Sequence, residues 1–197
     1  MVKIYIVRHG QTDSNLRRAC VGRSDVPLNK TGEEQARRLA ERTKDFEVSA
    51  VYTSPLVRAV NTAMPIIGIR KNVKLIMNYG LSERDFGLWE DMNYREIEEK
   101  YPAMFKKWQS GGYLDAPPEG ESVADMQKRT GDALDKIIAA HEGENLLLVS
   151  HMAVTRTILA HLLGLEPCQS MCFRLDNTGI AVVEYSDGKG VLTGFNI

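Results

Sequence analysis

The sequence predicts an α/β fold, a parallel or mostly parallel sheet covered by helices, and three observations carry that reading. Short β-branched runs alternate with longer segments of helical period along the chain. Residues 2–7 are rich in β-branched side chains and residues 146–149 are continuously apolar, the pattern of strands buried on both faces. Helix-capping signals stand between the runs, as the crossover helices of parallel strands require.

Taken in order, residues 2–7 form the first strand. Thr31 opens a helix, with Glu34 three residues on in capping-box spacing and Ala36, Leu39, Ala40 and Thr43 on its inner face. Residues 48–53 are a short strand. Ser54 and Pro55 supply an N-cap and a first-turn proline for a helix over residues 56–64, and residues 73–77 are a further strand.

The next segment, about residues 81–120, changes character. Together with Tyr79 just before it, it holds more than half of the chain's aromatics, among them Trp89, Phe105, Trp108 and Tyr113. Helical spacing over residues 93–110 is interrupted by Pro102, and Gly111-Gly112 and Pro117-Pro118 punctuate a loop. This is an aromatic-rich insertion over the sheet, either a satellite hydrophobic cluster or a cap over substrate.

Ser122 caps the next helix with Asp125 in register, and Val123, Met126, Leu134 and Ile137 face inward. Residues 146–149 are the second buried strand, followed by a helix over 153–163 that Gly164 closes. Residues 171–175, 180–185 and 191–195 are read as edge strands, the last two joined in a hairpin by Asp187-Gly188-Lys189-Gly190. Such edges either pair across a homodimer or lie under a tail.

Composition sets the outer limits. The 197 residues suffice for one domain, and 43% hydrophobic with 26% charged content is that of an ordinary globular protein. A net charge of −1, with basic residues spread along the chain, gives no footprint for nucleic acid or an anionic membrane. The three cysteines cannot all pair, and the chain enters its first strand without a signal-like apolar stretch, so a cytoplasmic protein with thiols is expected. Cys168 and Cys172 lack a second Cys/His pair that would complete a metal site. No metal is expected.

Chemistry concentrates where two strands end. Arg8-His9-Gly10-Gln11-Thr12 with Asn15 follows the first strand, and Ser150-His151-Met152 follows the second. If these strands are parallel neighbours, both imidazoles emerge at the carboxyl end of the sheet and reach one small ligand. Arg8 offers a planar fork of donors, Gly10 permits close backbone approach, and Thr12 and Asn15 add neutral donors, all suited to phosphate. His9 is the nucleophile candidate, uncharged near neutral pH. Arg58, early in its helix, can point to the same mouth, while Glu83 taken alone reads as solvated. His141 and His161 sit on helices and keep a structural reading.

In order, the motifs Arg8-His9-Gly10-Gln11-Thr12, Gly22 with Asp25, Thr31-Gly32, Ser54-Pro55 with Arg58-Ala59 and Thr62-Ala63, Glu83 with Phe86-Gly87 and Trp89-Glu90, and Ser150-His151 match a family. Across nearly its full length the chain resembles the histidine phosphatase superfamily, the phosphoglycerate mutase-like proteins. The resemblance implies a three-layer α/β/α fold in one domain over residues 1–197, with the nucleophile at His9 forming a phosphohistidine. Arg8, Arg58 and His151 (as an imidazolium) would surround the phosphoryl oxygens, and Glu83 would protonate the departing alcohol. Gly10, Gln11, Thr12, Asn15 and Gly22 would contact substrate, with the backbone N–H of Met152 as a further oxyanion donor.

Phosphoryl transfer needs charge compensation over three equatorial oxygens, and these cations would supply it without metal. The stretch around Glu83 looks more like the phosphatase branch than the mutases. The expected activity is hydrolysis of small phosphorylated metabolites, with no cofactor. In the mutase alternative, 2,3-bisphosphoglycerate would be the cofactor; a non-catalytic phosphate-binding protein is a third reading. Aromatics over the site point to an apolar or ring-bearing leaving group. Arg84, Arg95, Lys100, Lys106 and Lys107, interleaved with glutamates, read as a solvated face.

Overall fold

A computed structural model of the chain describes residues 1–112 and 114–197; Tyr113, counted above among the aromatics of the insertion, lies outside the described residues. The strands are β1 (Val2–Arg8), β2 (Ala50–Thr53), β3 (Lys74–Met77), β4 (Leu146–Ser150), β5 (Ile180–Ser186) and β6 (Lys189–Phe195). They form one sheet in the order β3-β2-β4-β1-β5-β6. The first four are parallel, and β5 and β6 add antiparallel at one edge. The helices, in chain order, are α1 (Asp13–Leu16), α2 (Lys30–Thr43), α3 (Val57–Gly68), α4 (Tyr94–Lys100), α5 (Pro102–Ser110), α6 (Val123–Ala139) and α7 (Met152–Leu162).

The period-two alternation of the strands divides the core into two layers. Ile4, Ile6, Leu146 and Leu148 face α6 and α7, packing on Met126, Leu134, Ile158 and Leu162. Tyr5, Val7, Leu147 and Val149 face α2 and α3, packing on Leu39, Ala59, Ala63 and Ile66. Each fully buried aliphatic side chain contributes roughly 1.5–3 kcal/mol. This is the three-layer α/β/α arrangement that the resemblance implies. A separate hydrophobic cluster of Cys20, Trp89, Ile97, Phe105 and Trp108 holds α4 and α5 together. Among the described residues, no helix is long and apolar enough to cross a membrane.

Parallel pairing of β1 with β4 sets the site, because the register places Arg8 opposite Ser150. The ladder ends with the His9 N–H donating to the Ser150 carbonyl at 2.9 Å. The two histidines therefore leave adjacent strands side by side.

Three local expectations are corrected. Helix α2 begins at Lys30, because Asn29 rather than Thr31 is its cap, accepting from the Gly32 N–H at 2.9 Å; Glu34 is taken by Arg37 and Arg38 instead. Ser54 does not cap α3: it bends the chain, accepting from Leu56 N–H, and the Val57 N–H is met by Asp25 Oδ1 at 2.7 Å from a remote loop. Residues 171–175 form no strand. A 3-10 turn over Pro167–Cys172 leads into an irregular segment whose Phe173 and Leu175 carbonyls accept from Arg156 and Arg8, so guanidiniums replace a strand ladder. By contrast Asn93 and Ser122 cap α4 and α6 with complete capping boxes, Pro102 opens α5, and the β5–β6 hairpin turns through Asp187 and Gly188 at positive φ.

Candidate active site

Beyond the carboxyl ends of β1 and β4 lies a cavity of about 1070 Å³. Its lining includes Arg8, His9, Arg58, Glu83 and Met152, with Gln11, Asn15 and Gly22 at its side. The rings of His9 and His151 lie 5.1 Å apart between centroids, tilted by 58°. Both are buried.

The protonation of each ring follows from its neighbours. His9 Nδ1 is 2.6 Å from the Gly10 carbonyl, an acceptor only, so Nδ1 carries the proton and Nε2 keeps its lone pair. Burial, then Arg58 and Arg8, hold the His9 pKa well below the usual imidazole range, with the Gly10 bond opposing them. His151 Nδ1 accepts from Arg58 Nε at 3.2 Å, so its proton sits on Nε2. Burial, followed by the charges of Arg58, His9 and Arg8, depresses its pKa as well. The accepting Nδ1 and the depressed pKa make His151 a neutral imidazole rather than the imidazolium that the resemblance implies. Its Nε2 and the Nε of Arg8 are buried without a protein partner among the described residues. Both are donors, of the kind that an anion satisfies.

The cations are held by backbone. Arg58 donates from Nη2 to the Gly22 carbonyl at 2.7 Å and from Nη1 to the Ser24 carbonyl at 2.8 Å. Gly22 is needed at φ +55°, where a Cβ would fall 2.1 Å from Glu90 Oε1. That carboxylate in turn takes the N–H groups of Arg23 and Ser24 at 2.6 and 2.9 Å and the Ser24 hydroxyl at 2.7 Å. Arg8 donates to the Leu175 carbonyl at 3.1 Å, and burial lowers its pKa to about 10, leaving it charged at neutral pH.

Glu83 lies at the N-terminus of α7, not in solvent: Oε1 accepts from the Arg84 N–H at 2.8 Å and Oε2 from the Ala153 N–H at 3.4 Å.

Gly10 and Thr12 stand behind the cavity. Gly10 N–H donates to Thr62 Oγ1 at 2.9 Å, and a Cβ there would meet the Gly32 carbonyl at 2.7 Å. Thr12 is buried and its hydroxyl caps α1 by accepting from Asn15 N–H. His141 and His161 pair with Glu144 and Asp135 away from the site. Among the described residues no group of three or more His, Cys, Asp or Glu side chains could hold a metal ion.

Sequence reading gave no role to Thr62, Asn177, Arg156 or Arg174. Asn177 Nδ2 donates to the His9 carbonyl at 2.8 Å and, with Arg156 and Arg174, lines the cavity. Only the Thr62 and Glu90 positions lay within matched motifs. Arg84 is also corrected: it is buried, its guanidinium 5.4 and 5.7 Å from the ring centres of Phe86 and Trp108, whereas the other cap cations are exposed.

The chain is 32% identical over 197 residues to a Bacillus subtilis protein named uncharacterized phosphatase PhoE, covering all of this chain and 95% of that one. It is 33% identical over 188 residues to the phosphoglycerate mutase-like protein 4 of Arabidopsis thaliana, covering 94% and 80%. A crystal structure of phosphoserine phosphatase from Entamoeba histolytica superposes with a TM-score of 0.86 at 32% identity, over 100% and 98% of the two chains. Residues 4–197 match the family described as the histidine phosphatase superfamily (branch 1), and the chain belongs to that superfamily.

Proposed function

We propose that this protein is a metal-independent phosphomonoesterase of small phosphorylated metabolites, working through a phosphohistidine on His9. The observation that carries the reading is the His9 tautomer: Nδ1 is bound to the Gly10 carbonyl at 2.6 Å, which leaves a neutral Nε2 available for attack. His9 Nε2 forms a bond to phosphorus as the ester P–O bond breaks. Charge on the equatorial oxygens is met by Arg8, Arg58 and His151 Nε2–H. The Glu83 carboxyl gives its proton to the leaving oxygen. Water then attacks phosphorus, Glu83 takes back a proton, the N–P bond breaks and phosphate leaves. Relatives named as phosphatases support hydrolysis as the outcome. The exposed thiols of Cys168 and Cys172 support a reducing, cytoplasmic setting.

A mutase is the second reading, favoured by the mutase-like relative. It would need 2,3-bisphosphoglycerate, and a second hydroxyl would replace water as acceptor.

Turnover of p-nitrophenyl phosphate in EDTA tests the first reading. Phosphate release with an acid-labile phosphoenzyme that disappears in His9→Ala is expected. Loss of activity in EDTA, or labelling retained in His9→Ala, would refute it. Rapid isomerisation of 3-phosphoglycerate with a trace of 2,3-bisphosphoglycerate and little phosphate release would establish the mutase instead.

A further inference from the structure

Asn177 stands in a tight turn before β5, and that turn is stitched to the end of β1. The Thr178 N–H donates to the Arg8 carbonyl at 2.9 Å, and the Arg8 N–H donates to the Gly179 carbonyl at 3.4 Å. The Gly179 N–H closes the turn on the Asp176 carbonyl at 2.9 Å. Thr178 is held at φ +55°, a left-handed conformation that β-branched residues rarely adopt. It is buried, and Arg42 Nη1 donates to its carbonyl at 3.1 Å. Strained backbone persists only where its surroundings over-determine it, and such places cluster at functional sites.

The neighbours of Asn177 assign the orientation of its carboxamide. The Thr12 N–H, which can only donate, lies 3.1 Å from Oδ1 of Asn15, so that atom of Asn15 is an acceptor. Asn177 Nδ2 then serves two acceptors, the His9 carbonyl at 2.8 Å and Asn15 Oδ1 at 3.3 Å. With the His9 N–H on the Ser150 carbonyl, both main-chain polar groups of His9 are held. Asn15 has its oxygen taken by two donors, and its NH2 group has no protein partner among the described residues. Asn15 lines the cavity. An amide whose oxygen is tied back in this way has only N–H donors left to offer, the polarity an anion requires.

Resting on the phosphomonoesterase reading, we propose that Asn177 is a positioning residue of the phosphoryl site. Anchored on the His9 carbonyl, it holds Asn15 Oδ1 and so turns the Asn15 NH2 group toward the phosphoryl oxygens. Asn177 acts through Asn15, by deciding which end of that amide the anion meets.

Asn177→Asp keeps the shape of the side chain and reverses its polarity. A carboxylate there faces Asn15 Oδ1 without a proton to give, so the Asn15 amide flips to donate to it. That charge-assisted bond outweighs the neutral one from Thr12, and the flip turns the Asn15 oxygen on the anion. Asn177→Ala only removes one of the two donors that hold the amide.

Calorimetric Kd values for inorganic phosphate test this, because they need no turnover and do not depend on the folded fraction. We expect Kd to rise about threefold in Asn177→Ala and about tenfold or more in Asn177→Asp. In an Asn15→Ala background, where no amide remains to flip, Asn177→Asp should cost less than about threefold further. A merely structural role, or the new charge acting directly on phosphate, gives the same factor in both backgrounds. That result overturns the proposal, as does a Kd in Asn177→Asp within about twofold of wild type, or a wild-type chain that binds no phosphate. A wild-type chain that binds phosphate but hydrolyses no ester, p-nitrophenyl phosphate included, overturns the phosphomonoesterase reading instead, while the Kd cycle still decides whether Asn177 orients Asn15.

Discussion

Arg58 Nε donates to Nδ1 of His151 at 3.2 Å, and this bond leaves Nε2 as the nitrogen of His151 that carries the proton. The same guanidinium spends its other two nitrogens on the Gly22 and Ser24 carbonyls. One planar fork thus joins a loop, a helix and a strand end, and it is fully buried while doing so. Its charge is compensated by carbonyl dipoles until an anion arrives.

Arg58→Lys should therefore fail despite keeping the charge. An ammonium on a flexible stem cannot hold three divergent acceptors, so the His151 tautomer and the loop would be released together. A loss of about 10²–10³ in kcat/KM for p-nitrophenyl phosphate is expected, the size seen when one preorganised oxyanion donor is removed. Steady-state kinetics within about fivefold of wild type would show the fork to be dispensable.

Glu90 acts one step further out. Its carboxylate binds two backbone N–H groups and the hydroxyl of the loop whose carbonyls hold Arg58. Glu90→Gln should lower kcat about tenfold or more and stability by about 1–3 kcal/mol. A double-mutant cycle with Arg58→Lys distinguishes positioning from a general loss of fold. Coupled losses are expected, and strictly additive ones would separate Glu90 from Arg58.

The parts of this site that could be read from sequence are those fixed by local pattern. The β1 and β4 runs announced buried parallel strands, and their pairing in register put His9 and His151 together. Glu83, Arg58 and Gly22 came through the ordered motifs of the family. What stayed hidden depends on tertiary contact. Asp25 caps α3 from a distant loop, and no spacing rule reports a cap that is remote in sequence. Residues 173–175 have strand-like composition, yet their carbonyls are claimed by Arg156 and Arg8. Arg84 has the mixed-charge context of a solvated face and is buried because two aromatic rings and two carbonyls receive it. In each case a polar contact with a segment remote in sequence overrides the local signal.

Glu83→Gln separates proton donation from binding. The amide keeps the size of the group but cannot deliver a proton to the leaving oxygen. Alkyl phosphates, with poor leaving groups, should lose about 10²–10⁴ in kcat, whereas p-nitrophenyl phosphate, whose phenolate needs little protonation, should lose much less. Equal losses on both ester types would remove Glu83 from the role of acid.

The two buried rings also predict how stability depends on pH. Burial and the flanking guanidiniums hold His9 and His151 neutral, with both pKa values well below the usual range. In the unfolded chain each ring takes up a proton as pH falls through about 6.5. The unfolded state then binds more protons than the folded one, so acid favours unfolding. The contribution of these rings is complete above pH 6.5 and drains away as pH falls, until the folded rings titrate in turn. Each can remove about 1.4 kcal/mol per pH unit within that window. Urea melts between pH 7.5 and 5.5 should show the decline. In His151→Asn, whose amide does not titrate, the decline should be shallower by about that amount per pH unit. Identical slopes in the two proteins would mean that His151 is already charged in the folded state, and the bond from Arg58 Nε to its Nδ1 could not then exist as described.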